Sequence, residues 1–185
     1  MNQVCIFFAP GLEEIEGLTV VDLMRRADIP ITVVSIGDSL ELEGAHGIRI
    51  TADALFADMN FSNTDMLVLP GGAPGTCNLE AYAPLMNLLK EFYANKKYIG
   101  AICAAPMILG HLGFLKGRKA TCYPGFEKHL EGASHVTETV VVDDHIITSR
   151  GLGTAIDFAA ALISLLTDAE TAVRIKEEVI YSTKK

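Results

Sequence analysis

The sequence predicts a single α/β domain built on a mostly parallel sheet that helices cover on both faces. Short β-branched runs alternate along the chain with longer segments whose apolar residues recur at helical spacing. Strand–helix–strand units of this kind build parallel sheets. Two late β runs separated by Asp143-Asp144 predict an appended β-hairpin. With 185 residues, half of them hydrophobic, the chain has material for one core, so we expect one domain over 1–185.

The individual elements follow from local patterns read in chain order. Strands are predicted where apolar runs are short and bounded by turn residues, and helices where apolar positions repeat every three or four residues. The predicted strands and hairpins are "VCIFFA", "ITVVSI", "ELEGAHGIRI" (a small hairpin), "DMLVLPGG", "KYIGAIC", "KATCY" and "VTETVVVDDHIITSR" (the appended hairpin). The predicted helices are 14–27, "APLMNLLKEFYANK", "APMILGHLG", "TAIDFAAALISLLT" and "AETAVRIKEEVIY".

Composition excludes several classes of function. The formal net charge of -8 and the lack of a Lys/Arg run argue against a nucleic-acid partner, which requires a basic face. The amino terminus lacks a basic leader, and the longest apolar runs are interrupted or short of a membrane span, so we expect a soluble cytoplasmic protein without membrane contact. Four cysteines without a CxxC pair predict free thiols, and no metal site.

The stretch "YIGAICAAP" places Cys103 where a buried strand turns into a helix. Its neighbours are Gly100, Ala101, Ala104 and Ala105, and such small side chains allow a nucleophile to project from the sheet edge. N–H groups and the positive end of the following helix would stabilise a thiolate there, which predicts a lowered thiol pKa. The plainer interpretation is a small hydrophobic residue at the end of a buried strand.

The other three cysteines lack this context. Cys5 and Cys122 lie in apolar runs and are expected to be buried and structural. Cys77 lies in a predicted loop and could be an accessible thiol with no role.

The turn "PGG" ends a second strand at the same predicted edge. Glycine lets backbone N–H groups approach a ligand closely, so the N–H groups of Gly72 and Ala104 could together hold a negative oxygen beside Cys103. A tight turn also requires glycine for conformational reasons alone.

The stretch "GLEEIEG" opens the first helix with three carboxylates. Glu13 and Glu14 are most simply solvated partners of the helix dipole. Glu16 follows Ile15 on a helix that must face the sheet, which can turn its side chain toward the site. A carboxyl group buried near a thiolate is driven to its protonated form, so it could donate a hydrogen bond to sulfur and move protons.

Together with "TSRGLGTAIDFA", the stretches "EEIE", "VLPGG" and "GAICAAP" resemble the ThiJ/PfpI superfamily, in the branch of the Parkinson-associated protein deglycase and its bacterial relatives. The resemblance runs essentially from end to end. It implies a flavodoxin-like sandwich, a homodimer, no cofactor, Cys103 as nucleophile and Glu16 as its protonated partner. It also implies that Gly72 and Ala104 supply backbone oxyanion donors.

The resemblance also implies residues at the mouth of the site. Arg26 and Arg150 match positions that lie in the family near the dimer interface and the site mouth, where they could attract anions, and His46 aligns near that mouth. The human-type relative carries a histidine at the position of Tyr123. The tyrosine at this position resembles the bacterial pattern. Ala104 stands where the peptidase-like branch has a histidine directly after the cysteine, so the Cys-His pair of that branch is missing.

The function implied is that of a cysteine-dependent, cofactor-independent glyoxalase or deglycase with a role in oxidative-stress protection. Its substrates would be reactive aldehydes such as methylglyoxal and glyoxal, or glycated thiols and amines. The alternative is a redox sensor or chaperone that acts through oxidation of Cys103. A cysteine peptidase or amidase is less favoured, because only Glu16 or Tyr123 could protonate a leaving amine. A non-catalytic binding module is the simplest remaining option.

Overall fold

The computed structural model describes residues 3–181, in which strands and helices alternate as the sequence predicts. The strands are β1 (Val4–Phe8), β2 (Ile31–Ser35), β3 (Glu41–Glu43), β4 (Arg49–Thr51), β5 (Ala54–Leu55), β6 (Met66–Leu69), β7 (Tyr98–Ile102), β8 (Lys119–Ala120), β9 (Ser134–His135), β10 (Val140–Asp143) and β11 (Ile146–Ser149). The helices are α1 (Glu14–Arg26), α2 (Ala73–Ala81), α3 (Ala83–Ala94), α4 (Pro106–His111), α5 (Ala155–Leu166) and α6 (Ala169–Glu178).

The central sheet has seven strands in the order β10-β11-β7-β6-β1-β2-β5. Its pairs are parallel except for β10 with β11, which form the predicted antiparallel hairpin. Because β11 also pairs in parallel with β7, the hairpin is the edge of the main sheet. This is the flavodoxin-like α/β sandwich that the sequence analysis expected.

Two apolar cores lie on opposite faces of the sheet, and β1 divides its side chains between them. Val4, Ile6 and Phe8 pack in one core with residues of α1, α5 and α6. Cys5 and Phe7 pack in the other with residues of α3 and α4. Strict alternation with both faces buried is the pattern of a strand in the interior of a parallel sheet.

The helices are short, with α1 the longest at 13 residues. The most apolar of them, α5, packs against both α1 and α6. Within residues 3–181, no helix has the length and apolar character needed to span a bilayer.

Several details differ from the sequence prediction, among them strands β5 and β9, which lie in segments where no strand was predicted. Helix α2 was not predicted, because "APGTCNLEA" has no apolar periodicity; only its small or apolar residues Gly75, Thr76 and Leu79 are buried. The segment "KATCY" contributes only the two residues of β8, which pair with β9 in a separate small sheet. The hairpin predicted in "ELEGAHGIRI" forms as β3 and β4.

Candidate active site

The site lies beyond the carboxyl ends of β1, β6 and β7, which are neighbours in the sheet. Loops that follow adjacent parallel strands converge at one edge, where ligands bind in this class of fold. Here they bring together the start of α1, the Pro70–Gly72 turn and the Cys103 turn.

Cys103 follows β7 in a left-handed backbone conformation, with φ of 66°. Such a φ costs a residue other than glycine about 1–2 kcal/mol, and it persists only where the surrounding structure enforces it. Here the N–H of Cys103 donates to the carbonyl of Ser149 at 3.0 Å, and its carbonyl accepts from the N–H of Tyr123 at 2.8 Å. These two hydrogen bonds keep Cys103 in its strained conformation, with the half-buried thiol at the sheet edge, as a nucleophile would require.

The predicted backbone donors both reach the sulfur. The N–H groups of Gly72 and Ala104 hydrogen-bond to the Cys103 thiol and act to lower its pKa. Gly72 has φ of 89°, and a Cβ there would lie 2.6 Å from the carbonyl oxygen of Gly11, so only glycine fits. Helix α4 begins at Pro106, three residues beyond the sulfur, so backbone amides rather than the first turn of the helix face it.

Glu16 is 1% exposed and directed at the thiol, as the sequence predicted. Its Oε2 accepts from the Gly71 N–H at 3.0 Å, while its carboxyl group also hydrogen-bonds to Cys103. Burial raises the pKa of Glu16 to about 7, and the charge of Glu13 adds to that rise. Near neutral pH this group can therefore exist both as an acid and as a carboxylate.

The thiol does not behave as predicted. The pKa of Cys103 is raised to about 12. Burial is the largest cause, and the charge of Glu16 and its hydrogen bond with the thiol add to the rise. The two backbone N–H groups lower the pKa, but by less. The prediction of a lowered pKa is wrong for this arrangement, because two like charges cannot form side by side in a buried site. Glu16 and Cys103 therefore share one negative charge, and a thiolate requires that Glu16 keep its proton.

Gly71 makes this contact possible, a role that the sequence analysis did not identify. A Cβ at Gly71 would lie 2.5 Å from both the Cβ of Cys103 and the Oε2 of Glu16, and 3.0 Å from the sulfur. The absence of a side chain here lets acid and thiol meet. The double glycine of "PGG" is the sequence signal for this close contact, in addition to the backbone donor predicted at Gly72.

Glu14 also departs from the prediction of a solvated side chain. It is 1% exposed, and its two oxygens bind the backbone N–H and the Nδ1 of His46, each at 2.8 Å. Although burial raises it, hydrogen bonds from the His46 ring and from the backbone of His46 and Ile48 hold the pKa of Glu14 at about 2. The hydrogen bond with Glu14 raises the pKa of exposed His46.

His46 therefore fastens the β3–β4 loop to the start of α1, close to the site but without contact to the thiol. Within residues 3–181, the group able to hold a metal ion is Glu13, Glu14 and His46, whose ligand atoms lie within 4.8 Å of one another. The carboxylate of Glu14 is already satisfied by His46, so these contacts are explained without an ion.

The remaining candidates divide into near and far. Tyr123 and Arg150 line a cavity of about 290 Å³ together with Pro124 and residues 151–154, which we call the site mouth. Arg26 lies at the other end of α1, about 15 Å along the helix axis from Glu16, and binds Asp22 at 2.7 Å. Within one chain it does not reach the site mouth.

Cys5 and Cys122 lie as predicted, whereas Cys77 is accessible as expected but lies on helix α2 and not in a loop. Cys5 and Cys122 are buried, and Cys77 is exposed on α2. Burial raises the pKa of both thiols, and with exposures of 0% and 1% neither sulfur is accessible to a substrate, unlike the half-buried Cys103.

A flavodoxin-like sandwich with a cysteine and a buried carboxyl group at one sheet edge is the arrangement that the sequence resemblance implied, and comparisons with known proteins assign the chain to the same family. The DJ-1/PfpI family model matches residues 2–165, and the chain belongs to this family. Protein DJ-1 homolog B of Arabidopsis thaliana is 34% identical over 96% of this chain, which spans 41% of the plant protein. The oxidized structure of Toxoplasma gondii DJ-1 is 33% identical, covers 98% of this chain and all of that one, and superposes with a TM-score of 0.94.

A third relative carries the name of an activity. The glutathione-independent glyoxalase DJ-1 of Schizosaccharomyces pombe is 29% identical over 99% of this chain and 98% of its own length.

Proposed function

We propose that the protein is a cofactor-independent glyoxalase that acts on small α-oxoaldehydes through Cys103 and Glu16. The observation that carries the proposal is the hydrogen-bonded pair of a half-buried thiol and a buried carboxyl group whose pKa lies at about 7. One group supplies the nucleophile and the other a proton carrier that works in both directions at neutral pH. The yeast relative named as a glyoxalase supports the same activity.

The reaction balances without an external oxidant. The Cys103 thiolate adds to the aldehyde carbon, and the carbonyl oxygen takes the proton from Glu16 to form a hemithioacetal. The Glu16 carboxylate then removes the proton from that carbon and returns it to the neighbouring keto carbon. The hydroxyl proton passes from the first oxygen to the former keto oxygen, giving a thioester of a 2-hydroxy acid. One carbon is oxidised as the other is reduced. Water hydrolyses the thioester, which releases lactate from methylglyoxal and restores the thiol.

The backbone N–H groups of Gly72 and Ala104 support this sequence of steps. They bind the sulfur when it is charged and, in the adduct, are placed to donate to the oxygen that develops charge. Deglycation of thiols and amines would use the same attack on the aldehyde that is in equilibrium with the adduct.

The test measures lactate formed from methylglyoxal by proton NMR. We expect Cys103→Ser to reduce the rate to that of buffer, and Cys77→Ser, which changes the exposed thiol on α2, to retain the full rate. A wild-type rate equal to that of Cys103→Ser would refute the glyoxalase proposal.

A second candidate, a redox sensor, is favoured by one observation. The sulfur of Cys103 is half-buried among two N–H donors and an acid, a setting that would hold the oxygens of a sulfinate. Mild peroxide followed by peptide mass measurement should add two oxygens to Cys103 before Cys77 reacts. Faster oxidation of Cys77 would count against a sensor.

We also propose a homodimer. The exposed apolar side chains Ile15 and Leu18 lie three residues apart on α1, and Leu152 at the site mouth is 49% exposed. A second copy of the chain would remove these surfaces from water. Light scattering after size exclusion should give twice the mass of 19.9 kDa, and a monomer mass would contradict the proposal.

A further inference from the structure

Arg150 is a cation at the site mouth that interacts electrostatically with exposed Glu127 without forming an ion pair with it. Its Nε is buried and has no hydrogen-bond partner. In the part of the chain from 3 to 181, Arg150 and Arg49 form no ion pair, whereas Arg25, Arg26, Arg118 and Arg174 each do. A buried N–H donor without an acceptor is unfavourable and is usually satisfied by water or by a ligand.

This guanidinium lies beside the reacting groups through short connections. Arg150 directly follows Ser149, whose carbonyl accepts the Cys103 N–H at 3.0 Å. Gly151, the next residue, packs so closely on Tyr123 that a Cβ would lie 3.1 Å from that ring, and 3.7 Å from the Oε1 of Glu16. The cavity that Arg150 lines therefore shares two of its walls with the surroundings of the thiol and its acid.

The surroundings of the thiol are negatively charged, so the positive charge of Arg150 affects which ligands can approach it. The chain carries a formal net charge of -8, and the start of α1 places Glu16 beside the sulfur and Glu13 close to Glu16. A small anion approaching Cys103 is repelled by these carboxylates unless a positive group offsets them. Planar guanidinium groups bind carboxylate and phosphate oxygens in a forked geometry.

We propose that Arg150 forms an anion subsite that selects α-oxoaldehydes bearing a carboxylate or phosphate over neutral ones. This inference rests on the proposed function for its substrate, and on the cavity and the unpartnered Nε for its location. The aldehyde carbon would meet Cys103 while the acidic group of the same molecule lies in the site mouth against Arg150.

The test uses alkylation of Cys103, so it does not depend on aldehyde turnover. Iodoacetate is anionic and iodoacetamide is its neutral counterpart, and peptide mass measurement follows each cysteine separately. For Cys103, we expect Arg150→Gln to lower the iodoacetate-to-iodoacetamide rate ratio about tenfold, with the iodoacetamide rate retained. Arg150→Lys should restore most of the ratio. The exposed thiol of Cys77 should show the same ratio in every variant.

Arg174→Gln is the matched control, because it removes the same charge from an exposed ion pair on α6. It should leave the ratio at Cys103 unchanged. An unchanged ratio in Arg150→Gln, or an equal fall in both rates, would overturn the proposal. Should Arg150→Gln fail to fold, the wild type still tests the proposal. In 0.5 M NaCl the Debye length is about 4 Å, and the iodoacetate-to-iodoacetamide rate ratio must fall more at Cys103 than at Cys77.

The result separates this inference from the proposed function. A lower iodoacetate-to-iodoacetamide rate ratio in Arg150→Gln, together with no lactate formation in wild type, would support the anion subsite and reject the glyoxalase. If the wild type does form lactate, the phosphate ester of 3-hydroxy-2-oxopropanal, which carries the phosphate on the carbon that is the methyl group of methylglyoxal, should be turned over with a higher kcat/KM than methylglyoxal. Equal values in wild type would reject the selectivity while leaving the glyoxalase intact.

Discussion

The backbone N–H of Gly71 donates to the Oε2 of Glu16 at 3.0 Å, across 55 positions of the chain. This bond sets the carboxyl group against the Cys103 thiol and leaves its other oxygen, Oε1, without a partner in a buried position. An oxygen in that state favours protonation, since a charged carboxylate would lack the donors it needs.

The first prediction concerns the space at Gly71. In Gly71→Ala the new Cβ would lie 2.5 Å from Oε2 of Glu16 and from the Cβ of Cys103, so one of the two must move. Overpacking of this kind reduces stability by about 1–3 kcal/mol. We expect a lower midpoint of thermal unfolding and slower alkylation of Cys103 by iodoacetamide. Gly37→Ala, where the nearest atom would be 3.8 Å away, should alter neither measurement.

The second prediction concerns the thiol pKa. The charge of Glu16 raises the pKa of Cys103, which reaches about 12 chiefly through burial, so Glu16→Gln should lower it. Absorbance of the thiolate at 240 nm, followed against pH in a chain with the other three cysteines changed to serine or alanine, measures this directly. A pKa that stays the same or rises in Glu16→Gln would show that the carboxylate does not oppose ionisation of the sulfur.

The third prediction is a dependence of stability on pH. The pKa of Glu16 is raised from 4.5 to about 7 on folding. Between these values the folded protein binds more protons than the unfolded chain, so stability falls as the pH rises from 4.5 to 7. The loss amounts to about 3 kcal/mol for a buried group with this shift. Urea unfolding of wild type and Glu16→Gln should show a slope in this window that the variant lacks; parallel curves would contradict it.

The fourth prediction concerns Glu14, whose shift has the opposite sign. Its pKa of about 2 lies below the ordinary value of 4.5, so its contribution to stability is complete above pH 4.5 and is lost as the pH falls toward 2. Glu14→Gln should therefore be less stable than wild type at pH 6 and show a smaller further loss in acid. Glu170→Gln, an exposed acidic residue in the first turn of α6, is the control and should follow the wild-type profile.

Much of the architecture could be predicted from local patterns. The β-branched runs, the helical spacing and the Asp143-Asp144 turn predicted the order of strands and helices, because these patterns depend on neighbours within a few residues. Helix α2 was missed for the same reason. Its residues lack a local periodicity, and the helix is held by contacts with the distant loop after β1, where the Gly75 N–H donates to the carbonyl of Gly11 at 3.0 Å.

The positions of the reactive groups follow from local patterns in the chain: a cysteine with small neighbours after a strand, a glycine turn after another, and a glutamate on the inner side of the first helix. The ionisation of these groups depends instead on the folded arrangement. It placed Glu16 and Cys103 in one buried space, which raises the pKa of both, and it buried Glu14 against His46, which lowers that of Glu14. Ionisation depends on burial and on charges brought together across long stretches of chain, and no local pattern contains that information.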